Sequence, residues 1–423
     1  MVSKSLLVSC ALLLSSLVLA QQPANRVSLP TRKANAAQPK SSPAQTPNAA
    51  AKRKSFVLDV VRMAVAMPQP DPQDRLRVLS SAADVVASVS KPMATQLAKQ
   101  GAQLESELIS SGIKPAVSVM ASGQVDCKTT ANFVEALPAN AAQNAEDALL
   151  GAISTCPQQA TEPARLKLEA ALQSGVLAPR ALMALMERVG QNSEWSQQQF
   201  TALFSSLPSE AEKSRAEAPN YAAMYSEMAP AIGKDAARKA GVSFLDWLGK
   251  LKQGSERNLA LNIATESMKS ALGDQGYQQA LASDPVAQSV ASTAGQPGEV
   301  EHSEEENVSV LHAMQQGGAD QSESLAKLPE SLRARQAAAD GFAAGTEGHA
   351  ELARRYFDTA FSSLNEVWAH RTPEKNAAAV VEEVSEAAAN VNPIEALQRA
   401  QGLQDPTAQA IGMLAVARVV NGQ

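Results

Sequence analysis

Five times in this chain a residue able to cap a helix stands directly before a proline: Asp71-Pro72, Asp284-Pro285, Thr372-Pro373, Asn392-Pro393 and Asp405-Pro406. The side chain of Asp, Asn or Thr accepts a hydrogen bond from an amide of the first turn that has no intrahelical partner. Proline at the first helical position lacks the amide that would go unpaired anyway. Each dipeptide therefore starts a helix. Ser303 with Glu306 adds the spacing of a capping box, and Gly112, Gly175, Gly190, Gly273 and Asn390 follow apolar runs where a left-handed cap is expected.

Between these marks the apolar residues recur at helical spacing, as in Leu76, Leu79, Ala83 and Val86, or Leu97, Leu104 and Leu108. Alternating valine-rich runs bounded by hairpin turns are missing. The expected fold class is all-α, and composition says of what kind. Hydrophobic residues make up 45% of the chain but aromatic residues only 4%, so much of the apolar content is alanine. Alanine favours helix and lets helices approach closely, yet each buries little area. A thin core shared among many short helices suits that better than a thick globule. We therefore expect an irregular right-handed α-solenoid of antiparallel helical pairs.

The expected domain plan is a signal peptide at 1–20, a disordered linker at 21–54, an irregular helical-repeat region at 55–291, an acidic and glycine-rich break with a short helix at 292–324, and a helical-pair array at 325–423. At the N-terminus Lys4 precedes an apolar stretch from Leu6 to Ala20, with Val18 and Ala20 as the small residues before a cleavage at Gln21. That is the pattern of a secretory signal, shorter than the roughly 20 apolar residues of a membrane span. An exported, periplasmic or secreted protein with no membrane span is expected. The linker is rich in Pro, Ala, Gln and Ser and holds only basic charges, Arg26, Arg32, Lys33, Lys40, Lys52, Arg53 and Lys54. It buries too little to offset its ordering entropy. Export also makes a disulfide the expectation for Cys127 and Cys156, with Cys10 leaving in the signal.

The stretch 333–371 is the most legible. Its second half carries the stripe Leu352, Tyr356, Phe357, Ala360, Phe361, Leu364 and Trp368 behind a glycine-bearing turn. Gly341, Ala353, Phe357 and Ala360 fall at the relative spacing of the small and aromatic signature positions of the tetratricopeptide motif, so 334–367 resembles one such repeat. The resemblance implies that these four residues pack two crossing helices. The chain departs from the motif at Asp340, where leucine is preferred, at Ala344, where tyrosine is preferred, and at Asn365, where the closing proline belongs. Thr372 and Asp405, both caps before proline, would bracket a second unit.

Chemistry is hard to find. There is no phosphate loop, dinucleotide fingerprint, zincin helix or nucleophile elbow. Three Ser-x-x-Lys spacings, Ser88/Lys91, Ser111/Lys114 and Ser324/Lys327, lack the companion elements of penicillin-recognising enzymes. His302 among Glu299, Glu301, Glu304, Glu305 and Glu306 matches no ligand loop and reads as a solvated acidic turn; His349 and His370 have no diagnostic partner. No catalytic, metal or cofactor-binding residue is assigned. A net charge of −6 argues against nucleic acid as a partner. The leading expectation is a non-enzymatic binding or scaffold protein with a protein or peptide partner. The alternative is an envelope enzyme acting on cell-wall glycan.

Overall fold

The structure, a computed structural model, describes residues 47–208, 211–295, 325–371 and 376–422. The segment read as a signal peptide, most of that read as linker, the acidic run with His302, Ser324 and the Thr372-Pro373 dipeptide lie outside them. Among the described residues every regular element is helical, and there are seventeen α-helices. Asn48–Gln423 make one compact unit.

The proline caps do what their chemistry requires. Asp71 accepts from the Gln73 amide, Asp284 from Val286 and Ala287, Asn392 from Ile394 and Glu395, and Asp405 from Thr407 and Ala408. These open α2 (Pro72–Val86), α12 (Pro285–Ala291), α16 (Pro393–Gln401) and α17 (Pro406–Gly422). Gly112 ends α3 (Lys91–Ser110) with φ of 77°, and the Ile113 amide folds back to the Leu108 carbonyl at 2.9 Å. Asn390 departs from expectation. It is inside α15 (Ala377–Val391), its side-chain amide donating to the Glu386 carbonyl, and the helix runs one residue further before Asn392 opens the next. The first helix, α1 (Pro47–Ala66), also starts earlier than expected, taking in the last residues of the segment read as linker. Its alanines and lysines favour helix, and Val57, Val60, Val61 and Ala64 anchor it in the core.

The buried residues form two clusters. One lies in the middle of the chain, from Ile109 to Ala291. It spans α5 (Glu146–Thr155), α6 (Pro157–Gln173), α7 (Pro179–Val189), α8 (Glu194–Ser205), α9 (Ala211–Met228), α10 (Lys234–Lys250) and α11 (Ser255–Ala282). Most of the scarce aromatics are spent here. Phe200, Phe204, Tyr221, Tyr225, Phe244 and Trp247 touch in edge and stacked pairs at 4.9–6.2 Å between ring centres. The polar tips are satisfied: the Tyr225 hydroxyl donates to the Ala237 carbonyl and Trp247 Nε1 to the Pro208 carbonyl.

The other cluster joins the two ends, Val57 to Ala148 with Leu325 to Ala417. Its C-terminal part is a hairpin of α13 (Glu330–Thr346) and α14 (Ala350–Ala369), then α15 with α16, then α17. Gly341 faces Phe357, while Arg333 two turns earlier reaches Ser363 and Glu366 two turns later, so α13 and α14 run antiparallel. Arg354 pairs with Glu395 and Arg399 with Asp358, so α14 and α16 run parallel. Both rungs span 41 residues, wider than the 33 between Thr372 and Asp405. The stack does not stop at α17. Arg418 donates to Ser81 Oγ, and Asn421 to the Val85 carbonyl and Ser88 Oγ, so α17 lies beside α2 in the same direction. The packing groups residues differently from the linear division at 291 and 325, because the face α17 leaves open is filled by the first helices of the chain.

Candidate functional site

The residues assigned as packing positions come together as a close crossing. A Cβ on Gly341 would stand 3.1 Å from three atoms of the Phe357 ring. Phe357, Ala353 and Ala360 are buried beside it. The ring lies flat where only hydrogen projects from α13, and that sets the angle at which α14 leaves the turn at Gly348.

The same hairpin holds an open pocket of about 890 Å³ at its turn. From α13 it is lined by Asp340, Ala343 and Ala344, from the turn by Glu347 and His349, and from α14 by Glu351, Leu352, Arg355 and Tyr356. Helix geometry explains the position. On α13, Arg335 and Gly345 face α15, pairing with Glu383 and meeting Val391. Asp340, Ala344 and Glu347 lie beyond the Gly341 stripe from those two, on the face turned away from α15. Two of the three departures from the motif, Asp340 and Ala344, are on the pocket wall; Asn365 is not. Ala344 borders the opening with little surface of its own exposed.

Asp340 is half-buried. Its Oδ1 accepts from the Gln336 amide, and its Oδ2, sealed from solvent, has no hydrogen-bond partner. Burial pushes its pKa above the usual aspartate value, offset in part by the hydrogen bond from Gln336. Around the rim Glu351 pairs with Arg354 at 2.8 Å, and Glu347 lies 3.9 Å from His349 Nε2.

A second carboxyl is far more deeply buried. Glu105 on α3 has no exposed surface. Its Oε2 accepts from the Val119 amide at 3.0 Å, and its Oε1 makes no hydrogen bond. The pKa is pushed up to about 7 by burial, against the weaker pull of the Ser118 hydroxyl and the Val119 and Met120 amides, with Asp147 adding repulsion. Ser118 Oγ is felt electrostatically but is not aligned as a donor, since it too has no partner of hydrogen-bond geometry. Glu105 holds the loop 115–122 between α3 and α5, which approach so closely that Gly101 meets Val119 and Gly151 meets Ala121. A group sealed this way cannot touch a substrate.

Cys127 and Cys156 are joined, with 5.3 Å between their Cα atoms. The bond ties the first residue of α4 (Cys127–Ala136) to the junction of α5 and α6. Of the other residues singled out by sequence, Ser88 Oγ is held by Asn421 and Ser111 Oγ donates to the Glu107 carbonyl, so neither hydroxyl is turned to its lysine. His370 lies 3.3 Å from Glu330, and Trp368 is a core residue under the Arg371 guanidinium. Among the described residues there is no group of three metal-ligating side chains and no helix long and apolar enough to cross a membrane. Sequence reasoning missed the pocket and Glu105. The signals present were Asp340 in a leucine position and a lone glutamate on the apolar face of α3. No family model, curated protein or solved structure matches the chain.

Proposed function

We propose that this is an exported, non-enzymatic helical-repeat protein that binds a protein or peptide partner, its helical pairs stacked as an irregular right-handed solenoid. Support for the stacking comes from the parallel rungs between α14 and α16 and the continuation of α17 onto α2. Support for export comes from the apolar N-terminal stretch and the joined cysteines. The observation that carries the binding reading is the pocket at the α13–α14 turn. At about 890 Å³, lined by alanines and Leu352 together with Asp340, Glu347, Glu351 and Arg355, it has the size and mixed lining of a ligand site.

Peptide selection on the immobilised full chain, run against the Ala344→Tyr variant, tests this. Tyrosine fills the pocket with the residue that the tetratricopeptide pattern prefers. Peptides enriched on the parent chain should bind the variant at least tenfold more weakly while it remains folded by circular dichroism, with some loss of melting temperature because Ala344 is buried. Failure to enrich any peptide, or equal binding to both chains, would overturn the proposal.

A further inference from the structure

The chain between α3 and α4 forms a strap, residues 115–125, that is pinned at both ends. At its start Gln73 on α2 donates to the Lys114 carbonyl and accepts from the Ala116 amide, both at 2.8 Å. At its finish Asp126 caps α4 by accepting from the Thr129 amide, and Cys127 is bonded to Cys156. Between these anchors the strap lies where α3 and α5 approach it through Gly101 and Gly151, with Val119 and Met120 buried. The polar fastening at its middle is the Val119 amide on Glu105. Glu105 is fully enclosed, and neither its Oε1 nor the Ser118 Oγ has a hydrogen-bond partner. One aligned amide suits a neutral carboxyl. A carboxylate sealed in the same place is short of donors for the charge it carries.

We infer that the strap is a proton-controlled latch: protonated Glu105 keeps it seated between α3 and α5, and loss of that proton lifts its middle while Gln73 and the disulfide hold the ends. The groups around the carboxyl do not offset its charge. From α5 it meets Asp147, which repels it and is itself paired with Arg180 at 2.8 Å, while the adjacent Glu146 accepts from the Arg180 amide. From the strap come only the Ser118 hydroxyl and the Val119 and Met120 amides. On α2, Asp74 pairs with Arg371, Arg75 donates to the Val65 carbonyl, Arg77 faces Glu382 and Asp74, and Asp84 faces Arg418. On α3 itself Glu107 accepts from Gln103, and Lys99 acts on Asp126. Lifting the strap admits water to Glu105, whose pKa then returns from about 7, where burial holds it, to its ordinary value near 4.5. The lifted state therefore gains about tenfold per pH unit between those values and levels off above the upper one.

The test is amide exchange on the full chain at pH 5 and pH 8, corrected for the intrinsic rate at each pH. Amides 116–122 should be less protected than those of α3 and α5 at both pH values, because the strap lifts without unfolding them. Their opening should rise roughly 50- to 100-fold from pH 5 to pH 8. In Glu105→Gln, which keeps the acceptor for the Val119 amide, it should stay near the pH 5 level of the parent at both. If 116–122 are as protected as α3 and α5, the strap opens only with the whole fold and the inference falls. An opening that does not change with pH in the parent overturns it, as does a rise that survives in Glu105→Gln. The first two of these outcomes need only the parent chain, so they decide the matter even if the variant does not fold.

Discussion

Glu105 carries its proton because of where it sits. An ordinary glutamate in the unfolded chain titrates near 4.3, whereas burial raises it to about 7 in the fold. Between those values the folded state holds a proton that the unfolded state has released, so stability falls as pH rises. The contribution is intact below the unfolded value and is lost as pH climbs through the folded one. Glu105→Gln keeps the acceptor for the Val119 amide and removes the ionisation. The variant should exceed the parent in stability at pH 8 by on the order of 2–3 kcal/mol more than at pH 5, measured as urea midpoints. An equal gap at both pH values would show that Glu105 does not titrate in this range. Glycine at position 151 is a different kind of constraint. Its Cβ would stand 2.6 Å from the Ala121 backbone, which cannot yield as a side chain end does. Gly151→Ala should therefore destabilise by roughly 2 kcal/mol or more, despite the gain of about 1 kcal/mol in helix propensity. A variant more stable than the parent in thermal unfolding would refute the close crossing.

At the scale of elements, the helix starts were written into the sequence because capping is local: a carboxylate or amide side chain bonds amides two or three residues away. Asp71, Asp284, Asn392 and Asp405 all do so. The Asn390 expectation failed because asparagine is acceptable both as a left-handed cap and inside a helix, and its own side chain settles on the Glu386 carbonyl. Of the candidate site, Gly341 and Phe357 were legible as a packing pair, since the motif spacing encodes a helix crossing. The pocket was not, because Asp340 in a leucine position signals a departure from the motif without saying what space lies beside it. The disulfide acts at this scale too. It closes a separation of 29 residues around α4 and α5, and on the chain-entropy model removing it costs about 3–4 kcal/mol. Reduction, or Cys127→Ser with Cys156→Ser, should lower the melting temperature. If hydrogen exchange also shows α4 losing protection before α14, the effect is local to the bridged region, whereas uniform loss would mean that the bond supports the whole molecule.

Across the whole molecule the decisive contacts are those between the ends. Arg418 reaches Glu382 and Glu386 on α15 and Ser81 on α2, and Arg371 pairs with Asp74 at 2.9 Å while lying over Trp368. The flanking apolar residues Ile411, Leu414 and Ala415 are buried. Ending the chain at Asp405 would uncover both neighbours of α17 at once. Amide exchange should then rise together in 72–110 and in 377–401; protection kept in 72–110 would show that the N-terminal pair does not depend on α17. The sequence by itself determined that this chain is helical and where its proline-capped helices begin, since capping and periodicity act within a few residues. Only the tertiary structure decided that α17 is followed in space by α2, across a separation of 337 residues between Arg418 and Ser81, and that Asp340 and Ala344 border an open pocket. Both depend on which helix faces meet at a distance along the chain, and the alanine-rich faces of this protein are too alike for periodicity to distinguish one partner from another.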